Sequence, residues 1–299
     1  MRSLITGGRG FVGNWLADHL RDLGDQVVVI DREVDVTDPG ALLAAVTDAA
    51  PDAIYHLAAL THVGQSWDEP LRVLEVNVIG TAAVLAAARQ CGSDPKVLVT
   101  SSAEVYGAVT DPGQLPLTEE SPTAPLTPYA ASKLAAEALI TQAWLGHGQP
   151  VITVRPFNHI GPGQSPNFAV PALAKRIVEA HASGAPTIPV GNLSARRDFT
   201  DVRDVVRAYR LLVESGEPGG VYNVCSGQDV SIHDIADRLL GLVGTTLEFE
   251  TDPALVRPVE VPVLRGDPAR LVGATGWKPE VTLDQTLADV LAYWRLQVG

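Results

Sequence analysis

Short apolar runs at residues 3–6, 27–30, 53–56, 97–101 and 151–155 alternate with helical patterns from residue 11, at 41–49, 71–89 and 129–144. This rhythm constrains the fold more than any other feature. Strands separated by a helix are too far apart in sequence for hairpins, so they pair in parallel through right-handed crossovers. The helices then cover both faces of the sheet. A strand buried on both faces is a nearly continuous apolar run, and Val27-Val28-Val29-Ile30 is one. The chain is therefore expected to be α/β, with a doubly wound parallel sheet. Beyond residue 156 the rhythm loosens, with further helices predicted at 168–182, 202–214, 231–242 and 283–296. This part is expected to form a smaller C-terminal α/β lobe.

The first strand runs straight into Thr6-Gly7-Gly8-Arg9-Gly10-Phe11-Val12-Gly13, which opens the first helix. Gly7, Gly10 and Gly13 have the spacing of a dinucleotide-binding turn. The first glycine allows the tight turn, the second lets backbone approach a pyrophosphate, and the third permits close helix–strand packing. Phe11 and Val12 then supply N–H groups at a helix N-terminus, where the macrodipole favours an anion. A Rossmann-type fold follows. Asp31 ends the second strand, where a carboxylate takes ribose hydroxyls and repels a 2′-phosphate, so NAD(H) is favoured. Arg32 follows it and keeps NADP(H) admissible, and Asp35 and Val36 are placed along the adenine edge. The predicted division is 1–160 for the dinucleotide, with parts of 186–228 returning to it, and 161–299 mainly for the substrate.

Tyr129 and Lys133 stand four apart on a predicted helix and so share one face. A free phenol titrates near pH 10, and a fixed cation beside it is expected to lower that value. Ser101 and Ser102 end the fourth strand, at the carboxyl edge where ligands of open α/β sheets bind. The hydroxyl of Ser102 can hold a substrate oxygen while Tyr129 transfers a proton. Prolines at 112, 116, 122, 125 and 128 forbid regular structure there, and this loop is expected to be a mobile cover over the site.

Composition narrows the ligand classes. A net charge of −13 over 299 residues argues against a nucleic-acid partner but not against a small anion held by local arginines. Cys91 and Cys225 lack metal spacing, and neither His62 nor His159 has a second histidine or carboxylate at metal spacing, so no catalytic metal is predicted. The start runs directly into a strand without a signal peptide. The longest apolar helical stretch, 73–88, is interrupted by Glu75 and Asn77. A cytoplasmic protein with no membrane contact is expected.

The glycine turn, Ser101-Ser102-Ala103-Glu104-Val105-Tyr106-Gly107 and Tyr-x-x-x-Lys together resemble the extended short-chain dehydrogenase/reductases, the epimerase/dehydratase family acting on nucleotide sugars. The resemblance covers essentially the whole chain. It implies a catalytic Ser102, Tyr129 and Lys133, with Lys133 and Ser101 also against the cofactor. Leu57, Ala58, Ala59, Asn77 and Pro156 match positions along the cofactor cleft, and Asn158 matches one reaching the substrate diphosphate. Segments 155–168, 191–209, 221–227 and 257–267 resemble the GDP-4-keto-6-deoxy-D-mannose reductases and, less closely, the GDP-mannose 4,6-dehydratases. That implies a GDP-linked sugar whose 4-keto group is reduced by NAD(P)H. Arg197 and Arg257 would hold its diphosphate, Glu260 a ribose hydroxyl, Lys175 would approach the base, and His62 would line the sugar pocket. Glu104 stands where dehydratases keep an acid/base, so a dehydratase remains open, as does a 4-epimerase with recycled NAD. A non-catalytic dinucleotide-binding protein is the remote alternative. The resemblance further implies a homodimer through helices 71–89 and 129–144.

Overall fold

The computed structural model describes residues 1–109, 111–255 and 261–298. The first half comprises β1 (Arg2–Thr6), α1 (Phe11–Asp22), β2 (Gln26–Ile30), α2 (Pro39–Ala49) and β3 (Ala53–His56). Next come α3 (Pro70–Leu74), a π-turn (Glu75–Ile79), α4 (Gly80–Gln90), β4 (Lys96–Thr100), α5 (Pro128–His147) and β5 (Val151–Pro156). The second half runs β6 (Asn158–Ile160), α6 (Ala169–Ser183), β7 (Thr187–Val190), β8 (Arg196–Asp201), α7 (Val202–Ser215) and β9 (Val221–Val224). It closes with β10 (Asp229–Ser231), α8 (Ile232–Val243), β11 (Glu248–Thr251), β12 (Val263–Leu264), α9 (Ala269–Thr275) and α10 (Leu283–Val298).

The main sheet has the order β2-β1-β3-β4-β5-β9, and every pair in it is parallel. β2 lies on one side of β1 and the later strands on the other. The strand order thus reverses between β1 and β3, and the crevice above their carboxyl ends is the ligand position for such sheets. Alternation along each strand splits the core into two layers. Ile5, Tyr55, Leu98 and Ile152 pack on α1, α7 and α9. Leu4, Ile54, Val97 and Val151 pack on α2, α4 and α5. The second lobe has its own apolar core, built from α6, α8, α10 and strands β7 and β8.

Two local expectations are corrected. The predicted helix 71–89 is interrupted by the π-turn, although the helical stretch Pro70–Gln90 is continuous and by length and composition alone is apolar enough to cross a membrane. Of its most apolar window 56% is buried inside the protein, the pattern of a core helix on a sheet. The proline-rich segment does not cover the cleft. Leu117 bridges to the second lobe: its N–H donates to Arg265 O at 2.9 Å, and its carbonyl accepts the Asp267 N–H at 2.8 Å. Arg270 pairs with Glu120, and Glu119 accepts the Asn223 N–H at 2.7 Å. The prolines exclude regular structure there, yet these bonds tie the segment down as a strap.

Candidate active site

A cleft of about 1480 Å³ runs from the β1–α1 turn across the carboxyl edge of the sheet to α6 and β8. Its floor is the glycine turn. Gly7 has φ +68°, and a Cβ there would lie 2.8 Å from the Ala58 backbone. A Cβ at Gly13 would collide with the Gly7 carbonyl and come within 2.6 Å of Gly8 Cα. The N-cap of α1 is Gly10, so no side chain covers the first N–H groups of the helix. Gly7, Gly10, Phe11, Val12 and Gly13 all line the cleft. This cradle, closed to any side chain at Gly7 and Gly13, fits a dinucleotide pyrophosphate.

Asp31, Arg32, Asp35 and Val36 line the adjoining wall, as do Leu57, Ala58, Ala59 and Pro156. The Asp31 carboxylate accepts the N–H groups of Arg9 and Arg32, each at 2.9 Å. Thr37, through its N–H and hydroxyl, holds Asp35 below the usual carboxylate range. Arg9 and Arg72 stand on the same wall and escaped sequence reasoning. Arg9 lay in plain view inside the glycine motif. Arg72 is brought there only by the fold.

The reactive residues converge above this floor. Thr127 accepts the Ala130 N–H at 3.1 Å and caps α5, with Pro128 opening the helix, so Tyr129 falls in its first turn. Ser102 caps the turn after β4, accepting the Glu104 N–H at 3.2 Å. Ser102, Glu104 and Tyr129 line the cleft together. Lys133 is buried one turn along α5, and its Nζ donates to Thr100 O at 2.7 Å.

The electrostatics differ from the expectation. Burial pushes the Tyr129 phenol up to about 12; the Ser102 side chain opposes this and Glu104 adds to it. Lys133 is not among the influences on the phenol. Its own value is pushed down to about 8 by burial, against the pull of Glu137. Desolvation disfavours a charge on either group. A phenol in this state is a proton donor at neutral pH.

Three further predicted residues stand off the wall. Ser101 points away from the cleft and donates to Glu137 Oε1 at 2.5 Å, because successive strand residues face opposite sides. Asn77, in the π-turn, is buried behind the 57–62 loop. It accepts from Leu60 N at 2.8 Å and donates to Leu60 O at 3.1 Å and Ser132 Oγ at 2.9 Å. Lys175 faces away, pairing with Glu179 at 3.7 Å and lying over Trp294; its neighbour Arg176 lines the cleft instead.

Asn77 belongs to a longer chain of bonds. Ala58 N–H donates to Thr6 Oγ1 at 3.2 Å, and Thr6 Oγ1 lies 2.7 Å from His56 Nδ1. His56 Nε2 lies 3.1 Å from Thr81 Oγ1, whose hydroxyl donates to Asn77 O at 2.7 Å. Because Thr81 gives its proton to Asn77, His56 carries its own on Nε2. Burial pushes His56 down to about 3, with Lys133 adding to this, so it is neutral. Asn77 then donates to Ser132, and Ser132 donates to the carbonyl of Tyr129 at 2.7 Å. The 57–62 loop and the helix that carries Tyr129 are thereby held by one directed series.

At the substrate end, His62 accepts the Gln65 N–H on Nδ1 at 3.0 Å, leaving Nε2 to carry the ring proton. Its ring tilts against Phe168 at 6.3 Å. His62, Asn158 and Arg197 line the cleft, together with His159, whose ring stacks on Phe11 at 6.1 Å. Arg197 also donates to Arg196 O at 2.8 Å. Arg257 and Glu260 lie outside the described residues. Among the described residues, Arg9, Arg32, Arg72, Arg176 and Arg197 line the cleft against Asp31, Asp35 and Glu104. A chain of net charge −13 therefore presents a cationic cleft, suited to ligands rich in phosphate.

A doubly wound sheet with serine, tyrosine and lysine gathered at its carboxyl edge above a glycine cradle defines a short-chain dehydrogenase/reductase. A family model described as GDP-mannose 4,6 dehydratase matches residues 32–290. The chain is 39% identical over 300 residues to the GDP-6-deoxy-D-mannose reductase of Pseudomonas aeruginosa, covering 99% of this chain and 98% of that protein. The structure of RMD from Pseudomonas aeruginosa, complexed with NADPH, superposes with a TM-score of 0.92 at 38% identity, over 99% of this chain and 100% of that one. The UDP-glucose 4-epimerase of Thermus thermophilus, complexed with NAD, gives a TM-score of 0.88 at 29% identity over 99% of both chains. The chain belongs to the GDP-mannose 4,6-dehydratase family of extended short-chain dehydrogenase/reductases.

Proposed function

We propose that the protein reduces the 4-keto group of a GDP-4-keto-6-deoxyhexose, using NAD(P)H. The observation that carries this reading is the 39% identity, over nearly the full length of both chains, to a GDP-6-deoxy-D-mannose reductase. The cationic cleft and the protonated state of Tyr129 support it independently.

The reduced nicotinamide, when bound, supplies the hydride. The chain's residues manage the oxygen. Tyr129 gives its hydroxyl proton to the developing alkoxide, and Ser102 hydrogen-bonds the same oxygen. Lys133, fixed by Thr100, holds positive charge beneath the phenol and against the nicotinamide ribose. Gly7, Gly10, Phe11, Val12 and Gly13 hold the pyrophosphate, and Arg197 with Arg257 the sugar diphosphate. Asp31 suits a ribose hydroxyl, while Arg9 and Arg32 beside it suit a 2′-phosphate, so either cofactor is accommodated. Residues 1–160 with parts of 186–228 serve the dinucleotide, and 161–299 mainly the sugar nucleotide. Two copies pair through the helical stretch Pro70–Gln90 and α5, where Leu71, Ile79 of the π-turn and Leu145 are 80%, 54% and 77% exposed.

Glu104 on the cleft wall favours one second reading, a GDP-mannose 4,6-dehydratase. The two are separated by offering GDP-mannose and GDP-4-keto-6-deoxymannose in turn while following NAD(P)H absorbance. Cofactor oxidation with the keto sugar alone is expected. Keto-sugar formation from GDP-mannose without net cofactor change would replace the reductase by the dehydratase.

A further inference from the structure

Behind the catalytic helix lies a buried ion pair that the proton transfer described above leaves unused. Glu137 follows Lys133 by one turn on α5, and its partner Arg155 stands on β5; their side chains are 9% and 8% exposed. Arg155 Nε donates to Glu137 Oε1 at 2.9 Å and Nη2 donates to Oε2 at 2.6 Å. Ser101 adds a third donor at 2.5 Å. The carboxylate is thus held from three directions while Lys133 Nζ stays on Thr100 O. The other guanidinium nitrogen, Nη1, donates to the Tyr106 hydroxyl and to Glu119 O, both at 3.1 Å.

Such a pair contributes little to stability, because desolvating both charges costs about as much as their attraction returns. Apolar residues of the same volume would hold α5 on β5 equally well. What they would not supply is a fixed field at Lys133. The groups bearing on that ammonium are Glu137 on its own helix, His56 on β3 and the Thr100 carbonyl on β4, with Tyr129 one helical turn before it. Arg155 on β5 stands behind Glu137, and Glu104 bears on Tyr129. His56 is neutral, and burial alone drives Lys133 down; Glu137 is the group that opposes it.

We propose that Glu137 and Arg155 are positioning residues that set the proton affinity of Lys133. Glu137 keeps the ammonium charged, and Arg155 limits that field and prevents Glu137 from capturing Lys133 in a direct ion pair. The proposal rests on the assignment of Tyr129 and Lys133 made above.

The test uses Glu137→Gln, Arg155→Gln and the double variant. The alkaline limb of kcat/KM marks the loss of the proton from Lys133. Removing the carboxylate should move it to lower pH by about one unit, and removing the guanidinium should move it to higher pH. The double variant should lie between Glu137→Gln and the parent, because the opposing guanidinium is gone along with the carboxylate. Equilibrium binding of the reduced cofactor, followed by fluorescence quenching across the same pH range, should shift in parallel. A pair that only braces the helix lowers thermal stability in both single variants and leaves the limbs in place or moves them the same way; that result overturns the proposal. If Arg155→Gln does not fold, the proposal still requires a shifted limb in Glu137→Gln and a smaller shift of the same sign in the double variant. Lys133→Met distinguishes the two levels of failure. Turnover in that variant would reject the catalytic assignment itself, whereas its inactivity with unmoved limbs would reject only the tuning.

Discussion

At the scale of the residue, Tyr129 shows why spacing alone did not give the chemistry. Its place one turn before Lys133 was legible, because a helical period puts i and i+4 on one face. Its charge state was not, because burial, which raises the phenol, is a property of the assembled cleft. Tyr129→Phe should lower kcat by about 10²–10⁴-fold, the contribution of a positioned acid, with cofactor dissociation little changed. Stopped-flow reduction and cofactor titration measure both, and turnover within about threefold of the parent would remove Tyr129 as proton donor. The serines and the α6 cations carry the same lesson. Ser101 and Ser102, adjacent on an extended chain, face opposite ways, so one meets the cleft and the other Glu137. Lys175 and Arg176, adjacent on a helix and both candidates for the base, are about 100° apart, so only the arginine meets the cleft wall.

At the scale of the element, the order of strands and helices in the first half was legible because each follows from a local period and local punctuation. The glycine turn was legible too, since a tight backbone approach admits few alternatives. The π-turn was not: an extra residue in a helical turn has no residue signature, and its effect appears only where Asn77 meets Leu60 and Ser132. The match of Asn77 to a cleft-lining position identified the right residue but not its task, which is to hold the wall from behind. Asn77→Ala leaves the Leu60 backbone groups and the Ser132 hydroxyl short of a partner. Each buried group so orphaned costs about 1–3 kcal/mol. Thermal unfolding should show that loss, and kcat should fall because the first turn of α5 is no longer tied to the cofactor-side loop. A variant as stable and as active as the parent would show that the clamp has no role.

At the scale of the whole molecule, Leu71 and Leu74 on α3, Ile79 in the π-turn and Leu145 on α5 remain exposed, although α4 and α5 already pack their other faces on the sheet. Placing a charge there, as in Ile79→Glu, should turn a dimer into a monomer in sedimentation while leaving the fold intact; an unchanged parent monomer would dismiss the paired helices. The second lobe is inserted into the sheet's own construction, since β9 completes the edge beside β5 only after β6, α6, β7, β8 and α7 have been made. This order has a consequence for synthesis. During translation, β5 emerges as an edge of almost wholly apolar residues, and its neighbour is about seventy residues behind. At 5–20 residues per second that edge stands open for roughly several seconds. An unpaired apolar edge is a template for joining other chains. A nascent chain of this protein therefore passes through a sticky interval that the finished enzyme gives no sign of.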